Sequence, residues 1–231
     1  MDAVILDVGG VFLVPHAEAV NPALEPFGVY LSLEQAERAH YAGVRALDAG
    51  DEEAVRDGSA YLSGYVEAVG VGDVDRESAI AQLHEAFSSP SVDVWRQQVR
   101  GSVEGLRRLA QSGVKLGIIS NADGSIEEQL RRSEICQVGE GLGVPVLAII
   151  DSTVVGIAKP AAEIFRHALD PIGVSPAKAV YVGDTVRYDV RGARNAGLSP
   201  IHFDPYDLCA SKHDHPHVRS LAEVGTMLQE F

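Results

Sequence analysis

The stretch Val4-Ile5-Leu6-Asp7-Val8-Gly9-Gly10-Val11 decides how the chain folds. A short apolar run ends in a carboxylate, and two glycines follow at once. This predicts a buried strand that delivers Asp7 to the mouth of a sheet. The turn after it is tight enough for a ligand to reach the backbone. An acidic residue at a strand end also serves simply to cap a turn. The choice between the two roles rests on residues much further along the chain.

The chain has 231 residues, 46% of them apolar and 23% charged, enough for a real core in one or two domains. Its net charge of −14 argues against DNA or RNA as a partner. A small phosphorylated substrate is compatible with that charge, because a local divalent metal inverts the field of one site. No apolar run approaches the roughly 20 residues of a membrane helix, so no membrane partner is expected. The N-terminus enters a strand without a basic region or an apolar signal core, which predicts a cytoplasmic protein. Cys136 and Cys209 belong to no CxxC pair and are expected as free thiols. The oligomeric state is not legible.

After the first strand, Phe12 to Pro15 leads out of the core, and residues 16–98 form a predicted helical insert with no strand signal. Ser32 and Gln35 mark a helix start. Asp51 to Val69 and Arg76 to Phe87 each carry apolar residues at helical spacing. From Val103 the rhythm changes to alternating helix and strand. Strands are predicted at Val114–Ile119, Val146–Ile150, Ala179–Val182 and Pro200–Phe203. Helices are predicted at Val103–Ser112, Ser125–Ser133, Ala161–Leu169 and Val190–Ala196, with a last one near Leu221 to Leu228. Strand, helix and strand at this spacing give right-handed crossovers and a mainly parallel sheet, hence an α/β fold.

Ligands of such sheets bind beyond the carboxyl ends of the strands, near the point where strand order reverses. Asp7 follows the first predicted strand, and Ser120 and Asn121 end the second. Lys159-Pro160 lies in a loop before a helix, and Asp184 follows a later strand, with Asp189 five residues on. Each has an ordinary alternative as a helix cap, a surface cation or a solvated loop. Together they gather carboxylates, a cation and a hydroxyl at one sheet edge. Carboxylates so gathered repel unless a hard cation sits among them, and Mg²⁺ takes one or two of them plus phosphate oxygens.

Four signatures stand in order: Leu6-Asp7-Val8-Gly9-Gly10-Val11, Ile118-Ile119-Ser120-Asn121, Lys159-Pro160, and Val182-Gly183-Asp184-Thr185 through Asp189, Gly192 and Ala193. With them the chain resembles the haloacid dehalogenase-like (HAD) hydrolase superfamily over nearly its whole length. The resemblance implies a Rossmann-like core (1–15 and 99–231) and an inserted helical cap (16–98) that lies over the site and selects the substrate. It also implies a phosphatase mechanism on a small phosphorylated metabolite. Asp7 is then the nucleophile that forms an aspartyl-phosphate. Its other oxygen, the backbone carbonyl of Gly9, and Asp184 hold Mg²⁺. Ser120 and the backbone N–H of Asn121 bind the transferring phosphoryl group. Lys159 neutralises charge, and Asp189 supports the metal site or Lys159.

The match breaks at two positions. Most phosphatases of this family carry a second Asp two residues after the nucleophile as acid and base; here that position is Gly9, and the following threonine position is Val11. General acid–base help is typically worth about 10²–10⁴ in rate. A Gly-Gly-Val first motif also occurs in a branch resembling glucose-1-phosphate phosphatases, whose substrates have good leaving groups. His16 is a candidate replacement acid/base. The other readings are a weak or inactive relative that binds a ligand, and a 2-haloacid dehalogenase. Dehalogenases also lack the second Asp, but they work without metal and need no carboxylate at position 184. His213, His215 and His217 have the spacing of metal ligands on an extended strand, in a polar stretch with a proline. Trp95, Tyr41, Tyr61 and Tyr65 are expected in the core of the insert rather than around a substrate.

Overall fold

Ala3 to Leu6 are buried along their whole length, the pattern of a strand covered on both faces. The computed structural model describes residues 1–210 and 214–228. In chain order its strands are β1 (Ala3–Leu6), β2 (Leu13–Pro15), β3 (Trp95–Gln98), β4 (Lys115–Ser120), β5 (Cys136–Val138), β6 (Val144–Val146), β7 (Ala148–Asp151), β8 (Ala179–Gly183), β9 (Ser199–Phe203) and β10 (His217–Val218). Six of them form one sheet in the order β10-β9-β8-β1-β4-β7. Every neighbouring pair in it is parallel. From β1 the chain steps outward through β4 to β7, then returns to the other side of β1 for β8, β9 and β10. Strand order therefore reverses beside β1. The fold is α/β with a central parallel sheet.

Helix Ala162–Ile172 shows how one face is covered. Its Ile164, Phe165, Ala168, Leu169 and Ile172 pack with Ala3, Ile5, Ile119 and Tyr181 of the strands. That spacing is the apolar stripe of an amphipathic helix.

The residues fall into two compact units. One comprises 1–12, 100–205 and the described C-terminal residues, and carries the six-stranded sheet. The other comprises 13–99 and 206–210. Its core gathers Val20, Leu24, Tyr65, Val66, Leu83 and Val94, with Tyr61, Phe87 and Trp95 half-buried against them. Tyr61, Tyr65 and Trp95 thus pack into that core, as expected, whereas Tyr41 is buried against His40 and Tyr206. Ser32 accepts the N–H of Gln35, and the Gln35 side chain accepts the N–H of Ser32, so the predicted helix start is a complete capping box.

Several expectations need correction. The insert is not purely helical: β2 and β3 pair antiparallel, Leu13 opposite Gln98 and Val14 opposite Gln97. Neither strand shows a pattern by itself, because each is very short and its partner lies some eighty residues away in sequence. The helix expected over Asp51–Val69 is two, Glu52–Arg56 and Ser59–Ala68. Between them Gly58 adopts a left-handed φ of 78°, and Asp57 accepts the N–H of Ser59 at 2.8 Å. The apolar run at 144–150 also divides. Val144–Val146 pairs with Cys136–Val138, and the sheet strand begins only at Ala148. A continuous apolar run carries no mark of such a boundary. The helix expected over Val190–Ala196 is entered through a π-helical turn, Val186–Val190. Cys136 and Cys209 form no disulfide. Among the described residues no helix is long and apolar enough to cross a membrane.

Candidate active site

Register places the candidate residues. Leu6 lies opposite Ile118 on one side and Val182 on the other, so the three central strands end level. Asp7 leaves β1 with its N–H on the carbonyl of Val182 at 2.9 Å. Ser120 is the last residue of β4 and is buried. Asp184 follows β8 directly, and Asp189 closes the loop beyond it. All stand at the carboxyl edge where strand order reverses, the ligand position of open α/β sheets.

Lys159 is the centre of this cluster. It is joined to Pro160 by a cis peptide bond and is 4% exposed. Its ammonium contacts Asp189 Oδ1 at 2.7 Å, Asp7 Oδ1 at 2.8 Å and the Tyr181 hydroxyl at 2.8 Å. Two of these contacts are hydrogen bonds, to Asp189 and Tyr181, and the contact with Asp7 is an ion pair. Burial works against the charged lysine, but the carboxylates of Asp189 and Asp7 outweigh it and its pKa is raised. Asn121, expected to offer its backbone N–H to phosphate, uses its side chain otherwise. Its Oδ1 accepts the N–H of Lys159 at 2.8 Å, and its Nδ2 donates to the Lys159 carbonyl at 3.1 Å. The amide group therefore fixes the backbone that carries the cation.

Asp189 is fully committed. Beyond Lys159, its Oδ2 accepts the N–H of Thr185 at 2.9 Å and the Thr185 hydroxyl at 2.6 Å. The Thr185 hydroxyl in turn accepts the N–H groups of Tyr188 and Asp189, capping the π turn. Such turns recur at functional sites. Although burial opposes it, Lys159 and these donors hold the Asp189 pKa below its usual value. Asp7 goes the other way. Burial raises its pKa to about 7; Lys159 opposes the rise, while Asp189 and Asp184 add to it.

This imbalance bears on metal binding. Asp7, Asp184 and Asp189 each place one carboxylate oxygen within 4.8 Å of the others. Three carboxylates are gathered around one ammonium. A hard divalent cation balances such a set, so the donors fit Mg²⁺ held by Asp7 and Asp184. Backbone geometry supports the pairing. Gly10 has φ +67°, and a Cβ there would overlap the Asp184 carboxylate. Only glycine allows the first loop and the Asp184 side chain to approach this closely.

Tyr181 was not singled out from the sequence. It sits in the apolar run of β8, fully buried, and its hydroxyl bonds Asp189 at 3.1 Å as well as Lys159. A tyrosine among valines looks like core, and only its hydroxyl partners reveal the difference. His16 has a structural role in the unit formed by residues 13–99 and 206–210. Its Nδ1 accepts the N–H of Glu18 at 3.1 Å and caps helix Ala17–Leu24. Of the histidines near the tail, His213 lies outside the described residues. His215 and His217 stack on each other at 4.5 Å and stand beside His202, which the sequence did not mark.

A model of the haloacid dehalogenase-like hydrolase family matches residues 1–197. The chain is 35% identical over 130 residues to haloacid dehalogenase-like hydrolase domain-containing protein 3 of Bos taurus, covering 56% of this chain and 48% of that protein. It is 36% identical over 99 residues to a phosphoserine phosphatase of Thermus thermophilus, covering 43% of this chain and 37% of the relative. These matches span about half or less of the relatives' own lengths. Among solved structures, a HAD phosphatase from Thermococcus onnurineus superimposes with a TM-score of 0.55 at 19% identity, covering 99% of this chain and 98% of the other.

Proposed function

The chain belongs to the haloacid dehalogenase-like hydrolases, and from that membership we propose that it is a Mg²⁺-dependent phosphatase of a small phosphorylated metabolite. The observation that carries this reading is the ion pair of Lys159 with Asp7 at 2.8 Å, buried beside Asp184. Phosphoryl transfer needs positioned charge more than bond-making side chains, and this cluster offers positioned charge. The 1–12 and 100–205 unit is the catalytic core, and the helical unit is the cap.

A carboxylate oxygen of Asp7 attacks phosphorus, and the bond from phosphorus to the leaving oxygen breaks. Water then attacks the aspartyl-phosphate, releasing inorganic phosphate and restoring Asp7. Lys159 stabilises the charge that builds at Asp7. Ser120 and the N–H of Asn121 receive the phosphoryl oxygens. Asp7, Asp184 and the carbonyl of Gly9 would hold Mg²⁺, which would supply charge to screen phosphate from the carboxylates. Asp189 keeps Lys159 in place.

Residue 9 has no side chain, so no carboxyl group there protonates the leaving oxygen. Sugar 1-phosphates and acyl phosphates have weakly basic leaving oxygens that depart and take a proton from water, and they are the proposed substrates. The same glycine favours a second reading, a family member that binds a phosphorylated ligand with little turnover. The reactions to compare are phosphate release from both substrate classes, with and without Mg²⁺, beside Asp7→Asn. Metal-dependent release that falls by more than about 10³ in Asp7→Asn is expected. Release no greater than that of the variant overturns the phosphatase reading, and calorimetric binding of phosphate without turnover then establishes the second. Halide release from a 2-haloacid without metal would favour dehalogenation instead.

A further inference from the structure

Three imidazoles meet at the edge of the main sheet, apart from the carboxylate cluster. His202 is in β9 and His217 in β10, and the two are direct partners in the parallel register. Side chains of paired residues emerge on the same face of a sheet, and in an extended segment so does the residue two places earlier. His215 is that residue. The ring centroids are 5.1 Å (His202–His215), 4.9 Å (His202–His217) and 4.5 Å (His215–His217) apart. One ring nitrogen of each lies within 4.8 Å of the others.

The hydrogen bonds fix the chemistry of the first ring. His202 Nε2 is 2.8 Å from the carbonyl oxygen of Asp184. A carbonyl only accepts, so Nε2 carries the proton and Nδ1 presents a lone pair. That lone pair faces His215 Nε2 at 2.9 Å. His217 is the informative member: both of its ring nitrogens are buried, and among the described residues neither has a hydrogen-bond partner. Asp204 Oδ2 stands 3.5 Å from His217 Nδ1, beyond hydrogen-bond distance. A phenylalanine would fill the same place without leaving two buried polar atoms unsatisfied. Imidazole nitrogens gathered within 4.8 Å of one another, with one ring anchored through its far nitrogen to a backbone carbonyl, have the parts of the inner and outer shells of a metal site.

We propose that His202, His215 and His217 form a second metal site, selective for a borderline divalent cation such as Zn²⁺ or Co²⁺ over Mg²⁺. Nitrogen donors select those ions, whereas carboxylate oxygens suit Mg²⁺. On binding, the cation replaces the proton that His215 Nε2 shares with His202. That proton moves to His215 Nδ1, which faces Asp214 Oδ2 at 3.8 Å. Asp204 orients His217. The bond from His202 to the Asp184 carbonyl ties this site to the loop that carries Asp184, so a bound cation steadies that loop.

The test uses the full chain in excess Mg²⁺, with Co²⁺ as the probe. One equivalent of Co²⁺ is expected to bind and to give hyperfine-shifted imidazole N–H resonances in the proton NMR spectrum. The carboxylate cluster offers no imidazole ligand, so Co²⁺ there would shift at most the neighbouring His202 N–H through space, and shifted N–H signals from more than one imidazole mark the histidine site. His217→Phe keeps the ring volume and removes both nitrogens, and it should weaken Co²⁺ at least about tenfold. If that variant does not fold, His215→Gln provides the same comparison. Absence of shifted signals from more than one imidazole in the wild type overturns the proposal. So does Co²⁺ affinity unchanged in the folded variant.

Discussion

The two units bury polar groups in opposite ways. At the sheet edge, Asp7, Lys159, Asp184 and Asp189 are all at least nine-tenths buried, and the charges of Lys159 meet Asp7 and Asp189 directly. In the helical unit, His40 is just as buried, yet its Nδ1 meets the neutral Tyr61 hydroxyl at 3.0 Å, and its ring packs on Tyr41 and Trp95. Burial lowers its pKa to about 3, against the opposing pull of Glu37. One unit keeps charge inside by bringing counter-charges together from distant segments. The other keeps its buried titratable group neutral. Charge is retained where the proposed chemistry uses it and suppressed where only packing is served.

The largest break in that contrast comes from removing the shared cation. Lys159→Met leaves Asp7 and Asp189 without their counter-charge and should cost about 3–5 kcal/mol in denaturant unfolding. Adding Asp7→Asn to that variant should recover part of the loss, because one buried charge disappears with it. Gly10→Ala comes next, at about 2–3 kcal/mol, since it combines a left-handed φ with overlap on the Asp184 carboxylate. The same variant should weaken Mg²⁺ binding measured by calorimetry, because Asp184 must move.

The neutral side of the contrast is sharpened by pH. The unfolded chain protonates His40 near its ordinary value of 6.5, whereas the folded chain resists down to about 3. The unfolded state therefore binds more protons between those values, and stability falls as pH drops through that window. The contribution of His40 is present in full above about pH 6.5 and amounts to at most about 1.4 kcal/mol per pH unit below it. Unfolding of His40→Phe, followed from pH 7 to 4, should show a slope shallower by up to that amount. An identical slope would mean that the ring is already charged in the folded protein. Tyr181→Phe is the smallest effect, about 1–2 kcal/mol, because it removes one donor–acceptor group and leaves one ammonium N–H unmatched.

The sequence alone determined the α/β class, the mainly parallel sheet, and the places of Asp7, Ser120 and Asp184 at strand ends, with Lys159 and Asp189 in the loops beyond. It could do so because apolar runs, glycines and helix caps are local signals, read within a few residues. The tertiary structure decided what those signals could not carry. β2 and β3 are too short to show a period and exist only through each other. Gly58 was visible, but its left-handed turn became a helix break only in context. The Tyr181 hydroxyl, the Asn121 clamp on Lys159 and the pairing of Gly10 with Asp184 join residues from about 8 to more than 170 positions apart. His202 looked like any strand residue until β10 set His217 beside it. Periodicity reports which face a side chain takes, whereas its partners are chosen by chain crossings that bring remote segments together. Electrostatic balance depends on those partners, so the charges were legible in the sequence and their compensation was not.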